Sequence, residues 1–317
     1  MSPAPTLLSR RSAYRETASA SQILSRFSWQ DGCMHPLSQF AAKVAPHVDR
    51  LVLTVHRQMR AVHGNAIDTW RSDSGLDRPG LIINLRPFFL AGTQSRTLLH
   101  RLHRYALPTT LEDSVNAAIA QGLVDEALTP STACLELANR LTTLQASLID
   151  ELWGGQPALA ELLEPLGQAV DGIPDRYPGP AFVLSRAWAE LPRPADAPAY
   201  LVHHLLTALR YLRADAHTVV IDAAGLTPGE ATRLDAAWRE LEGIHHEHPL
   251  DGLVSHGYLD AAGDLTEDGR RARQAIEDET NSVAGAVWEP VGADHMPKVI
   301  ADLASLPDHL GLTGVES

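Results

Sequence analysis

The chain has 317 residues, 44% apolar and 21% charged, which suffices to bury a core and excludes wholesale disorder; its length favours two domains over one. Acidic residues outnumber basic ones by 39 to 26, and a net charge of −13 argues against a general binder of nucleic acid or anionic membranes. Two cysteines, Cys33 and Cys134, exclude a disulfide scaffold, and no stretch nears the ~18 apolar residues of a membrane span, so a cytoplasmic protein is expected.

Residues 1–33 read as a flexible N-terminal arm. Ser9-Arg10-Arg11-Ser12 is like a twin-arginine signal, but no apolar region follows it. Helices are expected at 41–62, 95–105 and 110–121. The second carries a basic strip with His100 and His103, which reads as a solvated face. Gln121-Gly122-Leu123-Val124-Asp125 then predicts a helix stop and a short strand. Leu128-Thr129-Pro130 predicts a Thr cap with Pro at the first helical position. Leu137, Leu141, Leu144, Leu148 and Leu152 form one face of the helix that follows, ending at Trp153.

A joint follows at Gly172–Pro180, where Pro174, Pro178 and Pro180 do not continue a helix, and Leu191–Pro198 makes a second break. Helices are expected at 181–190, 200–213, 216–224 and 229–244. On 200–213, His203, Thr207 and Arg210 lie opposite the Val202, Leu205, Leu209, Leu212 stripe, and His204 and Tyr211 mark another edge. Asp215 and His217 fall at the turn beyond. Two readings stay open there: a solvated face with Asp215 as a cap, or a cleft in which Arg210 holds an anion and Asp215 orients His217 as proton donor or base. His245-His246-Glu247-His248 is the densest ligand-like cluster. His245 and His248 suit a metal, but Pro249 places the group at a helix end, and no remote Cys or His motif completes a site. No bound metal is expected.

His256-Gly257-Tyr258-Leu259-Asp260 and Leu265-Thr266 repeat the earlier order of glycine, apolar pair, aspartate and Leu-Thr. A helix follows with Ala272, Ile276, Val283 and Val287 on one face, reaching Trp288. The predicted organisation is therefore a first repeat over 34–170, a Pro/Gly-rich joint with a short helix over 171–199, and a second repeat over 200–317.

Leu253–Asp260 and Leu265-Thr266-Glu267-Asp268-Gly269-Arg270 resemble winged-helix regulators of the MarR type, in which an LTxxG sequence opens the long dimerisation helix. The likeness is closer to a poorly characterised actinobacterial helix–turn–helix family related to MarR. Its Leu-Arg-rich helix and Asp-x-His step match Leu209–His217, and its far Trp matches Trp288. The resemblance covers about 185–310. It implies a mainly α fold of tandem winged-helix repeats, paired within one chain as a pseudo-dimer, and hence a monomer or weak dimer.

Duplex reading needs cations on the reader helix and wing. None occurs from Tyr105 to Asn139 or from Glu240 to Gly269, spans rich in Asp and Glu, so DNA binding is not expected. MarR-type dimers bind small aromatic ligands, which implies small-molecule binding in bacterial specialised metabolism or drug tolerance. The ligand would be aromatic or anionic, met by Arg210, His204, Tyr211, Trp188 and Trp238. The alternatives are an enzyme using His217, Asp215 and His203 in the same cleft, and a MarR-like transcriptional regulator. Phosphate loops, dinucleotide fingerprints and nucleophile elbows are missing, and no cofactor is expected.

Overall fold

A computed structural model describes residues 35–74, 115–193, 196–239 and 251–308. The first helix, α1, spans Pro36–Ser74, longer than the expected 41–62, and bends at His63 (φ −114°, ψ 16°). Its core face is Phe40, Val44, Val48, Leu51, Val55 and Met59, spaced by three or four residues. After the outside stretch, a helical turn at 115–120 (α2) leads to α3, Thr132–Trp153. Next come α4 (Ala158–Asp171), α5 (Ile173–Arg176), a 3₁₀ turn (Pro180–Phe182) and α6 (Val183–Ala189). The sequence reading assigned no helix to 158–171. Pro165 interrupts the local signal, but Leu159, Leu162, Leu166 and Val170 bury one face, and that burial outweighs the proline. The joint is docked: Tyr177, 1% exposed, donates its hydroxyl to the Val283 carbonyl at 2.8 Å.

The long helix α7 runs unbroken from Pro198 to Ala223. This corrects the expected pair 200–213 and 216–224 with a turn at Asp215. Asp215 caps nothing on its own helix. Its carboxylate, 2% exposed, accepts both the backbone N–H and the hydroxyl of Ser185, each at 2.9 Å, so α6 is tied to the middle of α7. Then follow α8 (Pro228–Trp238), opened by a Thr227–Glu230 capping box, α9 (Asp251–Ser255) and α10 (Glu267–Gly285). A 3₁₀ turn (Ala286–Val291) and α11 (Met296–Ser305) complete the described chain. The helix at 229–244 is seen to Trp238, and residues 240–250 lie outside the description.

Helix α7 is the axle of the fold, packed by α1, α3, α4, α6 and α10; α1 also packs along α10, and α4 against α11. Arg50 of α1 donates to the carbonyls of Leu303 (3.0 Å) and Leu306 (3.3 Å) at the end of α11, and the Trp153 indole donates to Pro307 O at 2.9 Å.

The two expected wings are single antiparallel bridges, Val124 with Pro130 and Leu259 with Leu265; the described residues hold no longer strand. Their hydrogen bonds coincide when residue numbers are shifted by 135. Gly122 N donates to Ile119 O and Gly257 N to Val254 O, Asp125 N to Thr129 O and Asp260 N to Asp264 O, Ser131 N to Leu123 O and Thr266 N to Tyr258 O. Both turns have a left-handed residue at the same place, Leu128 (φ 61°) and Gly263 (φ 89°). This register corrects the expected alignment of Leu128-Thr129 with Leu265-Thr266. The cap of α3 is Ser131, whose Oγ accepts Cys134 N, as Thr266 accepts Gly269 N on α10. Pro130 precedes the cap, and Thr129 instead donates its N–H to Asp125.

Candidate functional site

The expected site on α7 separates into three environments. The first is a buried ring cluster. Trp188 of α6 stacks on Tyr211 (centroids 5.9 Å apart, 11° between planes) and meets the edge of His204 at 5.5 Å. His203, one residue earlier, lies between Trp153 at 6.1 Å and Tyr200 at 6.5 Å. His203, His204 and Thr207 are 5% exposed or less, so this face of α7 is neither solvated nor a cleft wall. Burial, with the nearby His56 and His204 imidazoles, pulls the His203 pKa down to about 3, and burial pushes the Tyr211 phenol up to about 12. His203 and Tyr211 are therefore neutral at pH 7, and the cluster acts as packing.

The second environment is an ionic network joining α7, α8 and α10. Arg273, 5% exposed, donates to Asp235 through Nε (3.2 Å) and NH2 (2.6 Å) and also pairs with Glu277, which Arg213 of α7 reaches from the other side. Burial would raise both carboxyls, yet Arg273 and Arg213 hold Glu277, and Arg273 and Arg239 hold Asp235, below their ordinary pKa values. His217 sits against this network. Its Nδ1 is 3.1 Å from Thr280 Oγ1, and Thr280 gives its own proton to Ile276 O at 2.7 Å, so Nδ1 carries the imidazole proton. Burial draws the His217 pKa down to about 4; Glu277 opposes this while Arg273 and Arg213 add to it. The expectation that Asp215 orients His217 is corrected: Asp215 binds Ser185, and His217 faces Thr280 on another helix.

The third environment contains Arg210. Its Nε is 3.1 Å from Asp49 Oδ1 of α1, and both side chains are partly exposed. The pair lies at the rim of a half-open groove where α1 meets α7 and the end of α10, with Val44, Val48, Val287 and Trp288 among its walls and a volume of about 30 Å³. Trp288 is held by an edge contact with Phe40 at 5.0 Å. Of the expected ligand-binding residues, only Arg210 lines this groove. Trp188, His204 and Tyr211 belong to the ring cluster, and Trp238 is half-buried at the far end of α8. The sequence reading missed Asp49 and the α1 wall. Nothing local marks them, since they meet Arg210 only across the fold. His245, His246, His248, His100 and His103 lie outside the described residues, and no group of three or more potential metal ligands occurs among the described ones.

The turn surfaces are acidic. Asp125, Glu126, Asp260, Asp264, Glu267 and Asp268 are exposed, and Asp125 and Asp260 use Oδ1 to accept backbone N–H groups of their own turns. No described helix is long and apolar enough to cross a membrane. Residues 113–315, a span that includes both bridged turns, match the model of a helix-turn-helix family; no curated protein and no solved structure matches the chain.

Proposed function

The chain belongs to this helix-turn-helix family, and on that premise we propose that it is a tandem winged-helix protein that binds a small molecule between its halves and has lost duplex reading. The first copy would occupy 34–170 and the second 200–317, with 171–199 as the joint and 1–33 as an arm. The shared hydrogen-bond register of the two turns supports the tandem reading. Packing of α1 on α10 and of α3 on α7 sets long helices of one half against the other, as an intramolecular pseudo-dimer requires.

The observation that carries the binding reading is the groove itself. It lies where α1 of the first half meets α7 and α10 of the second, and it combines apolar walls, an indole and an accessible arginine. The acidic, cation-free turns support the loss of DNA reading, because phosphate contacts there would have no counter-charge. Bacterial specialised metabolism or drug tolerance is the setting the MarR-type resemblance suggests.

Thermal-shift titration with a panel of small carboxylates, phenolates and neutral analogues tests the binding reading; stabilisation by no member refutes it. Family membership favours a second reading, a regulator that reads DNA. Fluorescence anisotropy with duplex fragments at low salt decides between them, and submicromolar, sequence-dependent binding establishes the regulator.

A further inference from the structure

We infer that the groove between α1, α7 and residues 284–288 takes a small aliphatic carboxylate, which Arg210 holds in exchange for Asp49. The inference rests on the reading of the chain as a small-molecule binder and narrows it to one site and one ligand class.

Volume sets the tail. The groove offers about 30 Å³, well under the ~150 Å³ of an apolar cavity that admits a benzene ring, so a short alkyl end enters and a ring does not. The walls that meet this tail, Val44, Val48, Val287 and the Trp288 indole, have little to offer a polar group. Charge at the rim sets the head. Arg210 and Arg213 both line the groove; Asp49 pairs with Arg210, and Glu277, outside the lining, pairs with Arg213. Arg213 Nε is moreover buried with no acceptor among the described residues. The bond to Asp49 engages Arg210 through Nε, and the two side chains are 31% and 44% exposed. An exposed pair of this kind is weak, so a soluble carboxylate loses no more than about fivefold in affinity by displacing it. Asp49 is thus an internal competitor that occupies the arginine while the groove is unfilled.

Isothermal calorimetry with butyrate as probe, butyramide as its neutral counterpart and benzoate as a ring-bearing acid tests this. Wild type is expected to bind butyrate in the millimolar range, and butyramide and benzoate at least about tenfold more weakly, since a charge-assisted bond is lost in one and the fit in the other. Asp49→Asn should tighten butyrate about two- to fivefold, and Arg210→Gln should weaken it about tenfold or more. Circular dichroism checks that both variants, altered at partly exposed side chains, remain folded. Butyrate binding that neither variant changes overturns this site and leaves the small-molecule reading standing. No butyrate heat in wild type or in Asp49→Asn overturns the proposed ligand class, while the wider thermal-shift panel separately judges the small-molecule reading. Equal binding of butyramide removes the role given to Arg210.

Discussion

Changing Arg273 to Met removes the cation that joins α8 to α10 while keeping most of the side-chain volume. Arg273 is 5% exposed and bonds two carboxylates, Asp235 and Glu277, whose side chains are 32% and 22% exposed. Removing one partner of a buried ion pair costs about 3–5 kcal/mol, because the other charge stays desolvated and unpaired. Here Arg239 still reaches Asp235 at 2.9 Å and Arg213 still reaches Glu277, so the low end applies, about 3 kcal/mol. Urea unfolding at pH 7 measures it. The cost also depends on pH. Both carboxyls have folded pKa values lowered below their unfolded ones, so their contribution is present above about pH 4 and fades as pH falls through the lowered values. Arg273→Met should therefore lose less stability, relative to wild type, at pH 3 than at pH 7. Arg273→Met/Asp235→Leu should be less destabilised than Arg273→Met alone, since an apolar replacement of the pair leaves no stranded charge. A single-variant loss under about 1 kcal/mol, equal at both pH values, refutes the reasoning and reduces the network to a surface feature.

Three further outcomes are expected. His203 is neutral in the fold, with its pKa held near 3 against about 6.5 unfolded, so its contribution is complete above pH 6.5 and declines on acidification; about 2 kcal/mol goes between pH 7.5 and 5, and His203→Leu should flatten that part of the stability profile. Gly269→Ala should cost about 2–3 kcal/mol in urea unfolding, because its Cβ would stand 2.0 Å from the Tyr258 carbonyl oxygen; Gly257→Ala, with open space but φ of 72°, should cost about 1–2 kcal/mol, and the opposite order contradicts the packing account. Light scattering at micromolar concentration should give a monomer or a weak dimer; a tight dimer would mean that the halves do not satisfy each other within one chain.

Local chemistry made some of this fold readable from the residues alone. Gly122 and Gly257 stop helices with φ of 66° and 72°, and Thr266 caps α10, because each depends on neighbours a few residues away. Gly269 was legible as part of a family pattern, and the structure supplies its reason in the Tyr258 carbonyl that a side chain would strike. Asp215 misled for the same local reason. Between Ala214 and Ala216 it has the form of an N-cap, and its true partner, Ser185, is thirty residues earlier on another helix. The site divides likewise. Arg210 was recognisable as a charge on a helix face, whereas Asp49 is 161 residues away and the fold alone brings it there. His204 and Tyr211 looked like cleft groups because their helix edge is polar in sequence; α6 covers that edge with Trp188 and makes all three core.

The clasp at residues 303–308 bears on how the protein is made. Arg50 and Trp153 belong to the first half, yet the carbonyls they bind are synthesised more than 150 residues after Trp153 and more than 250 after Arg50. On the ribosome, α1 emerges with a long apolar face whose covering helices α7 and α10 do not yet exist. Two halves with the same turn geometry would suggest stepwise folding, half by half. The clasp and the α1 contacts predict the reverse: the first half waits, with its core face open, for the second. Pulse proteolysis of nascent chains stalled near residue 200 should find them susceptible, and protection should arise only once residue 308 has cleared the exit tunnel.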